Sequence, residues 1–162
     1  MKVILYNAIS VDGFIAGEDD ETPWSEEEWA AFNDFVSMCD VCLLGMRTYS
    51  IMRDGGEFID GPKYIVVTSD PNSDTGSFEK LSIKSANDLP KVKKIGLIGG
   101  GELNGSLAEM GLIDEIILDV ESIALGTGKR LFGSRDTRLN LELISSKQIG
   151  SKTTQNHYKV VK

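Results

Sequence analysis

Three short stretches of this sequence combine glycine with hydroxyl or cationic side chains, which are groups that can bind phosphate. They are Gly45 with Arg47 and Thr48, then Thr68 with Ser69, then the triplet of Gly99, Gly100 and Gly101. A helix N-terminus presents free backbone N–H groups, and glycine lets a pyrophosphate approach them closely. Each stretch alone also occurs in ordinary turns and is a weak signal. Their recurrence after three successive apolar runs predicts that together they hold a dinucleotide.

The cysteines and the histidine favour structural interpretations. Cys39 and Cys42 form a C-x-x-C pair, but it falls at the end of a predicted helix and not at an N-terminus, where the dipole would lower the pKa of a thiol. We therefore expect two small buried side chains. His157 has no acid or metal-ligand cluster beside it in the sequence, so we expect a surface or structural role. No metal site is predicted.

Strands that alternate with short helices must position these groups. Strands are predicted over residues 3–9, 41–44, 63–68, 78–83, 94–98 and 113–120, and a final hairpin over 139–149 and 152–161. Helices are predicted from Ser25 to about Met38, over 47–53 and 85–89, and from the glycine triplet to Met110. The pattern predicts an α/β fold with a mixed, mostly parallel sheet, a C-terminal antiparallel hairpin and helices on both faces, in one domain over residues 1–162.

The predicted sheet places the phosphate-binding stretches at one edge. In parallel sheets ligands bind beyond the carboxyl ends of the strands, and each stretch follows such an end. The triplet lacks the G-x-G-x-x-G spacing after the first strand, which disfavours a Rossmann domain.

Composition narrows the possible partners. The chain has 162 residues and a formal net charge of -8, which repels nucleic acid and anionic lipid. The first nine residues are too short and too polar for a signal peptide or a membrane span, so we expect a cytoplasmic protein that acts on a small-molecule substrate.

Five motifs in a fixed order carry a resemblance that spans nearly the whole chain. They lie at residues 9–16, 45–49, 98–103, 111–115 and 125–128. In this order they resemble the dihydrofolate-reductase superfamily. The branch that matches better is similar to the reductase domain of the bifunctional riboflavin-biosynthesis deaminase-reductase.

The resemblance implies NADPH as the cofactor and assigns residues to it. Ala8 and Ile15 would line the nicotinamide, Arg47 and Thr48 would meet the phosphates after Gly45, and Thr68 and Ser69 would flank the adenosine. The pyrophosphate would be wrapped by Ile98, Gly99, Gly100, Gly101, Glu102 and Leu103. Residues 10–24 would form a lid over the nicotinamide, and a homodimer paired through the sheets is expected.

Two carboxylates are candidates for catalysis. Asp12 lies beside Gly13 in the lid motif and is the first candidate for a proton donor, although an ordinary Asp-Gly turn is the alternative. In dihydrofolate reductases a carboxylate follows the Pro-Trp pair by five or six residues, where this chain has Trp29 and Ala30. Glu28 comes one residue early, which turns its side chain by about 100° on a helix. It would otherwise serve as the capping-box partner of Ser25.

Three functions remain open at this point. The leading hypothesis is an NADPH-dependent reductase that transfers hydride to a carbonyl or imine of a small heterocycle, resembling 5-amino-6-(5-phosphoribosylamino)uracil reductase. The acidic run at 18–21 counts against a phosphorylated substrate. The alternatives are a dihydrofolate reductase that uses Glu28 as a displaced carboxylate, and a non-catalytic nucleotide-binding protein of the same fold.

Overall fold

The computed structural model describes all residues, 1–162, as strands and helices that alternate along most of the chain. The strands are β1 (Lys2–Ser10), β2 (Phe14–Ala16), β3 (Val41–Gly45), β4 (Lys63–Val67), β5 (Glu79–Leu81), β6 (Lys94–Leu97), β7 (Glu115–Glu121), β8 (Lys129–Arg130), β9 (Asn140–Gln148) and β10 (Thr153–Val161). The helices are α1 (Glu26–Ser37), α2 (Met46–Gly55) and α3 (Gly101–Glu109), with one 3-10 turn at Ala86–Asp88.

Eight strands form one sheet in the order β5-β4-β3-β6-β1-β7-β10-β9. The six strands from β5 to β7 are parallel, whereas β10 runs antiparallel to both β7 and β9. The predicted mixed sheet and terminal hairpin are therefore confirmed.

A second, two-stranded sheet lies partly within the predicted lid at 10–24, where the sequence analysis placed no strand. Within that segment β2 pairs antiparallel with β8, more than a hundred residues further along the chain. Its three residues have no local pattern, so only the distant partner defines the strand.

Side chains alternate between two buried clusters, one on each face of the sheet. Along β1, Leu5 packs towards α3, whereas Tyr6 packs towards α1 and α2. Full burial of a large apolar side chain contributes about 1.5–3 kcal/mol, so each cluster fixes its helices against the sheet. The helices lie on both faces, as predicted.

The C-terminal end of helix α1 and the residue Cys39 after it pack tightly against Gly96 of β6. A Cβ atom at this position would lie 2.9 Å from Cys39 Sγ and 3.1 Å from the ring of Phe35. Cys39 and Cys42 are free thiols buried in this contact, which confirms that they are small packing residues. The close approach fixes the height of α1 above the sheet.

None of the helices combines the length and the hydropathy that a bilayer span requires.

Candidate active site

A cavity of about 540 Å³ opens where β1, β3 and β6 end. Two helix N-termini, those of α2 and α3, form one end of it, which we call the phosphate end. Side chains of α1 form the other end, which we call the α1 wall and which consists of Glu28, Trp29 and Phe32. The lid contributes Ile15, Asp20 and Trp24 among other residues.

Most of the predicted site residues line this cavity. The residues from the sequence analysis that do so are Ala8, Ile15, Glu28, Gly45, Arg47, Thr48, Ile98, Gly99, Gly100, Gly101, Glu102 and Leu103. Asp12, Thr68 and Ser69 do not line it. Thr68 Oγ1 instead accepts a hydrogen bond from Asp70 N at 3.1 Å in the turn after β4.

Backbone groups build the phosphate end. Helices α2 and α3 begin after Gly45 and Gly100, and neither of these caps has a side chain that could bond the first-turn N–H groups. The two loops are tied together because Gly45 N donates to Gly99 O at 2.8 Å. A Cβ atom on Gly100 would lie 3.3 Å from Thr48 Oγ1. Two uncapped N-termini that are held together in this way can bind two adjacent anionic groups.

Lid carboxylates engage two of the cations that line the cavity. Arg47 Nε donates to both carboxylate oxygens of Asp20, at 2.9 and 2.8 Å. Lys129 Nζ lies 3.7 Å from the carboxylate of Glu18. The acidic lid therefore occupies the groups that an anionic ligand would use.

Glu28 is the most buried acidic side chain of the cavity, at 2% exposure, and its Oε2 has no hydrogen-bond partner. Burial, together with the smaller effect of the charges of Asp119 and Glu121, raises the pKa of Glu28 to about 8. The carboxyl is mostly protonated at neutral pH. It thus presents an acidic proton to the cavity.

The predicted capping box forms only by half. Glu28 N donates to Ser25 Oγ at 3.2 Å, but the Glu28 side chain does not return to Ser25 N. That N–H donates to Glu121 Oε2 at 3.0 Å instead. A carboxylate from β7 has replaced Glu28 in the cap, so the Glu28 side chain is available to the cavity.

Sequence reasoning missed the polar residues behind the α1 wall. The Tyr6 hydroxyl donates to Asp119, and Glu121 accepts hydrogen bonds from Ser25 and Thr153. Asp119 and Glu121 are both buried. The available signal was that Asp119 and Glu121 stand at alternate positions after three consecutive apolar residues of the same strand, which places both on one face of the sheet.

Aromatic side chains complete the α1 wall. The rings of Trp29 and Phe32 meet edge to face with centroids 6.0 Å apart, and Phe32 lies 5.7 Å from the ring of Tyr6. Aromatic faces around one buried carboxyl suit a flat heterocycle that carries a polar edge.

Asp12 holds the lid motif against the segment after β7. Its two carboxylate oxygens accept hydrogen bonds from Leu125 N at 3.0 Å and Gly126 N at 2.7 Å. A hydrogen bond from Ser10, together with these two, lowers the pKa of Asp12 to about 2. Such a carboxylate holds no proton at neutral pH, so the structure corrects the choice of Asp12 as the first candidate for proton donation.

His157 lies on β10, where its Nε2 is 2.9 Å from Glu115 Oε2. This contact joins neighbouring strands of the sheet away from the cavity, which agrees with a structural role.

Comparison with known proteins gives matches over part or all of the chain. The family model described as the RibD C-terminal domain matches residues 84–155. The uncharacterized protein YwjB of Bacillus subtilis (strain 168) is 30% identical over 170 residues, which cover 97% of this chain and 97% of YwjB. The uncharacterized protein YyaP of the same strain is 25% identical over 176 residues, covering 97% and 94%.

Solved structures share the fold. RibD of Acinetobacter baumannii superimposes with a TM-score of 0.80 at 16% identity, over 99% of this chain and 58% of that one. Dihydrofolate reductase from Enterococcus faecalis, complexed with NADP(H), gives a TM-score of 0.73 at 18% identity over 98% and 96%. These likenesses confirm the predicted fold class.

Proposed function

Because this chain belongs to the dihydrofolate-reductase-like superfamily, in the branch of the RibD C-terminal domain, we propose that it is an NADPH-dependent reductase of a small heterocyclic substrate. The observation that carries the proposal is the asymmetric cavity. Two uncapped helix N-termini form one end, and aromatic rings around a buried carboxyl form the other. The first suits a dinucleotide, and the second suits a flat ring.

The residues of the phosphate end fit a nicotinamide dinucleotide. Gly99 and Gly100 line the phosphate end together with Thr48 and Arg47. The N–H groups of α2 and α3 would hold the pyrophosphate, with Arg47 as the cation. Ala8 and Ile15 would bound the nicotinamide, and Thr68 with Ser69 would extend the site to the adenosine outside the cavity. The bound cofactor supplies hydride.

The chain itself aligns the substrate, excludes water and provides the proton. The lid and the α1 wall would enclose the reacting carbon. Hydride addition to a C=N or C=O carbon leaves a nitrogen or oxygen that needs a proton. In our proposal the Glu28 carboxyl gives up that proton and regains one from solvent between turnovers.

Glu28 also favours a second candidate substrate, dihydrofolate. A carboxyl on the wall helix is what the resemblance requires for a pterin, and Glu28 reaches the cavity despite lying one residue early. NADPH oxidation that depends on dihydrofolate and disappears in Glu28→Gln would support this candidate. An absence of dihydrofolate turnover in the wild type would eliminate it.

A homodimer is part of the proposal. Every residue of β9 at the sheet edge is exposed, including Leu143 at 57% and Ile144 at 51%. A second copy would cover this apolar strand. Sedimentation should give twice the mass of one 17.7 kDa chain, and a monomer mass would contradict the pairing.

The decisive experiment for the cofactor is a titration with NADPH and with NADH, followed by nicotinamide fluorescence. We expect NADPH to bind more tightly, and Arg47→Ala to weaken it about tenfold or more, because a charge-assisted hydrogen bond contributes about 1.5–3 kcal/mol. Arg53→Ala is the matched control, since Arg53 lies on the same helix, pairs with Asp54 and does not line the cavity.

The other outcomes separate the remaining hypotheses. If neither nucleotide binds, the glycine triplet is only a turn and the reductase proposal fails. If NADPH binds but no ketone, imine or pterin is reduced, the chain is a nucleotide-binding protein of the same fold.

A further inference from the structure

Three carboxyl groups are buried together at the α1 wall, with Glu28 in the wall and two acids behind it, and their hydrogen bonding is unequal. Glu28, Asp119 and Glu121 are each no more than 3% exposed. Glu121 accepts hydrogen bonds from Ser25 N, Ser25 Oγ and Thr153 Oγ1. Asp119 accepts one from Tyr6 at Oδ2, and its Oδ1 has no partner. Glu28 Oε2, which is also shielded from solvent, has none.

Tyr6 accounts for this inequality. Its ring stacks on Phe35 with centroids 4.8 Å apart and packs against Phe32 at 5.7 Å, so it is held on both sides. A tyrosine hydroxyl has one proton to donate, and here it is committed to Asp119. Tyr6 lines the cavity beside Glu28 yet has no donor left for it. A buried carboxyl without a donor favours its neutral form.

The charges around Glu28 act in the same direction. Asp119 and Glu121 approach from β7, and Tyr6 comes from β1. On the far side of Asp119, Gln155 of β10 lies opposite it in register. Burial raises the pKa of Asp119 above its usual value, and the hydrogen bond from Tyr6 and the charge of Lys147 on β9 offset this rise only in part. None of the ion pairs in the structure includes Glu28. Its charged neighbours are therefore negative.

We propose that Asp119, held as a carboxylate by the Tyr6 hydroxyl, is a positioning residue that keeps a proton on the Glu28 carboxyl at the cavity. Asp119 does not line the cavity and touches no substrate. It acts only through Glu28. The use of that proton in reduction rests on the proposed function, but its presence on Glu28 in the free protein does not.

The test is an infrared titration of the cofactor-free protein, which follows the C=O stretch of protonated carboxyl groups against pH. In the wild type we expect one band to disappear with a midpoint near pH 8, and Glu28→Gln should lack this band. In Asp119→Asn the midpoint should fall by at least about one unit, a tenfold loss of proton affinity. Glu26→Gln, which removes an exposed carboxylate from the same helix turn, should leave it unchanged.

Tyr6→Phe provides a second variant that removes a single oxygen atom and preserves the packed ring. Without its donor, Asp119 should take up a proton itself, so a new band appears and the Glu28 midpoint falls. A Glu28 midpoint that is unchanged or raised in folded Asp119→Asn overturns the proposal. If that variant does not fold, an unchanged midpoint in Tyr6→Phe overturns it instead.

The titration is independent of the cofactor experiment. Failure of NADPH to bind would remove the proposed function and leave the shifted midpoints as they are. A normal cofactor titration with unshifted midpoints would remove only the role of Asp119 and Tyr6.

Discussion

The two ends of the cavity are built by different means. The phosphate end consists of backbone N–H groups at two helix starts, and each of its parts lies within a few residues of a strand end. The α1 wall depends on side chains from distant segments, such as Tyr6 and Asp119, which lie 113 positions apart. One end is therefore a local property of the sequence, whereas the other exists only when the sheet has assembled.

The largest expected effect is the change in the free energy of unfolding with pH that Glu28 of the α1 wall causes. Only the folded chain holds the Glu28 proton between pH 4.5, the ordinary pKa, and about 8. Over this window the free energy of unfolding should fall by about 1.4 kcal/mol per pH unit as pH rises, through this group alone. Glu28→Gln has no proton to lose at this position. Its free energy of unfolding, relative to that of the wild type, should therefore rise by several kcal/mol from about pH 5 to about pH 8.

Urea unfolding of both proteins at several pH values measures this difference. Asp119 and the other acids are common to the two proteins, so their contributions largely cancel in the comparison. Parallel curves of stability against pH would show that Glu28 titrates normally.

A smaller effect is expected when a side chain enters the phosphate end. In Gly101→Ala the new Cβ would overlap the carbonyl of Arg130 and lie 2.8 Å from Gly133 N. Backbone cannot give way as a flexible side chain can, so we expect a loss of about 1–3 kcal/mol and a Tm lower by about 2–12 °C. NADPH binding should weaken with it.

Gly45→Ala is the matched control for this thermal measurement. Its Cβ would meet neighbouring atoms at no less than 3.8 Å, and its φ of -80° suits any residue. Its Tm should therefore stay near that of the wild type. Equal Tm values for the two variants would contradict the tight packing of Gly101 against the segment after β8.

The smallest effect concerns the lid, which links the two ends. In Asp20→Asn the guanidinium of Arg47 is released from its internal anion, and NADPH no longer competes with a carboxylate for it. Exposed ion pairs contribute about 0.2–1 kcal/mol, so binding should tighten by about 1.4- to 5-fold. The nicotinamide fluorescence titration measures it, with Asp54→Asn, which frees Arg53 outside the cavity, as control. Weaker binding in Asp20→Asn would show that Asp20 helps to hold the cofactor.

The same contrast explains what the sequence could predict. Gly45, Arg47 and the glycine triplet were located because a strand end and a helix start are visible within ten residues. Strand β2 was missed because its partner β8 is far along the chain. The cap of α1 was half wrong because Glu121, 96 positions from Ser25, takes the place of Glu28 there.

Glu28 itself shows that residue spacing along a helix does not by itself predict which side chains reach the cavity. Its position after the Pro-Trp pair predicted a side chain that points away from the expected direction, yet Glu28 lines the cavity. The angle of a side chain about its helix is local, but the rotation of the whole helix against the sheet is set by packing, which one sequence does not reveal.

The contact of α1 with Gly96 has a consequence for how such a protein can diversify. The packing of Cys39 on Gly96 sets the distance between the sheet and the C-terminal end of the helix, whereas Glu28 and Trp29 lie near its N-terminal end. A relative with alanine at position 96 needs a smaller residue at 39, or its helix must stand further from the sheet and its wall enclose a wider space. The width of the cavity in this branch can therefore change through substitutions at residues that do not line it.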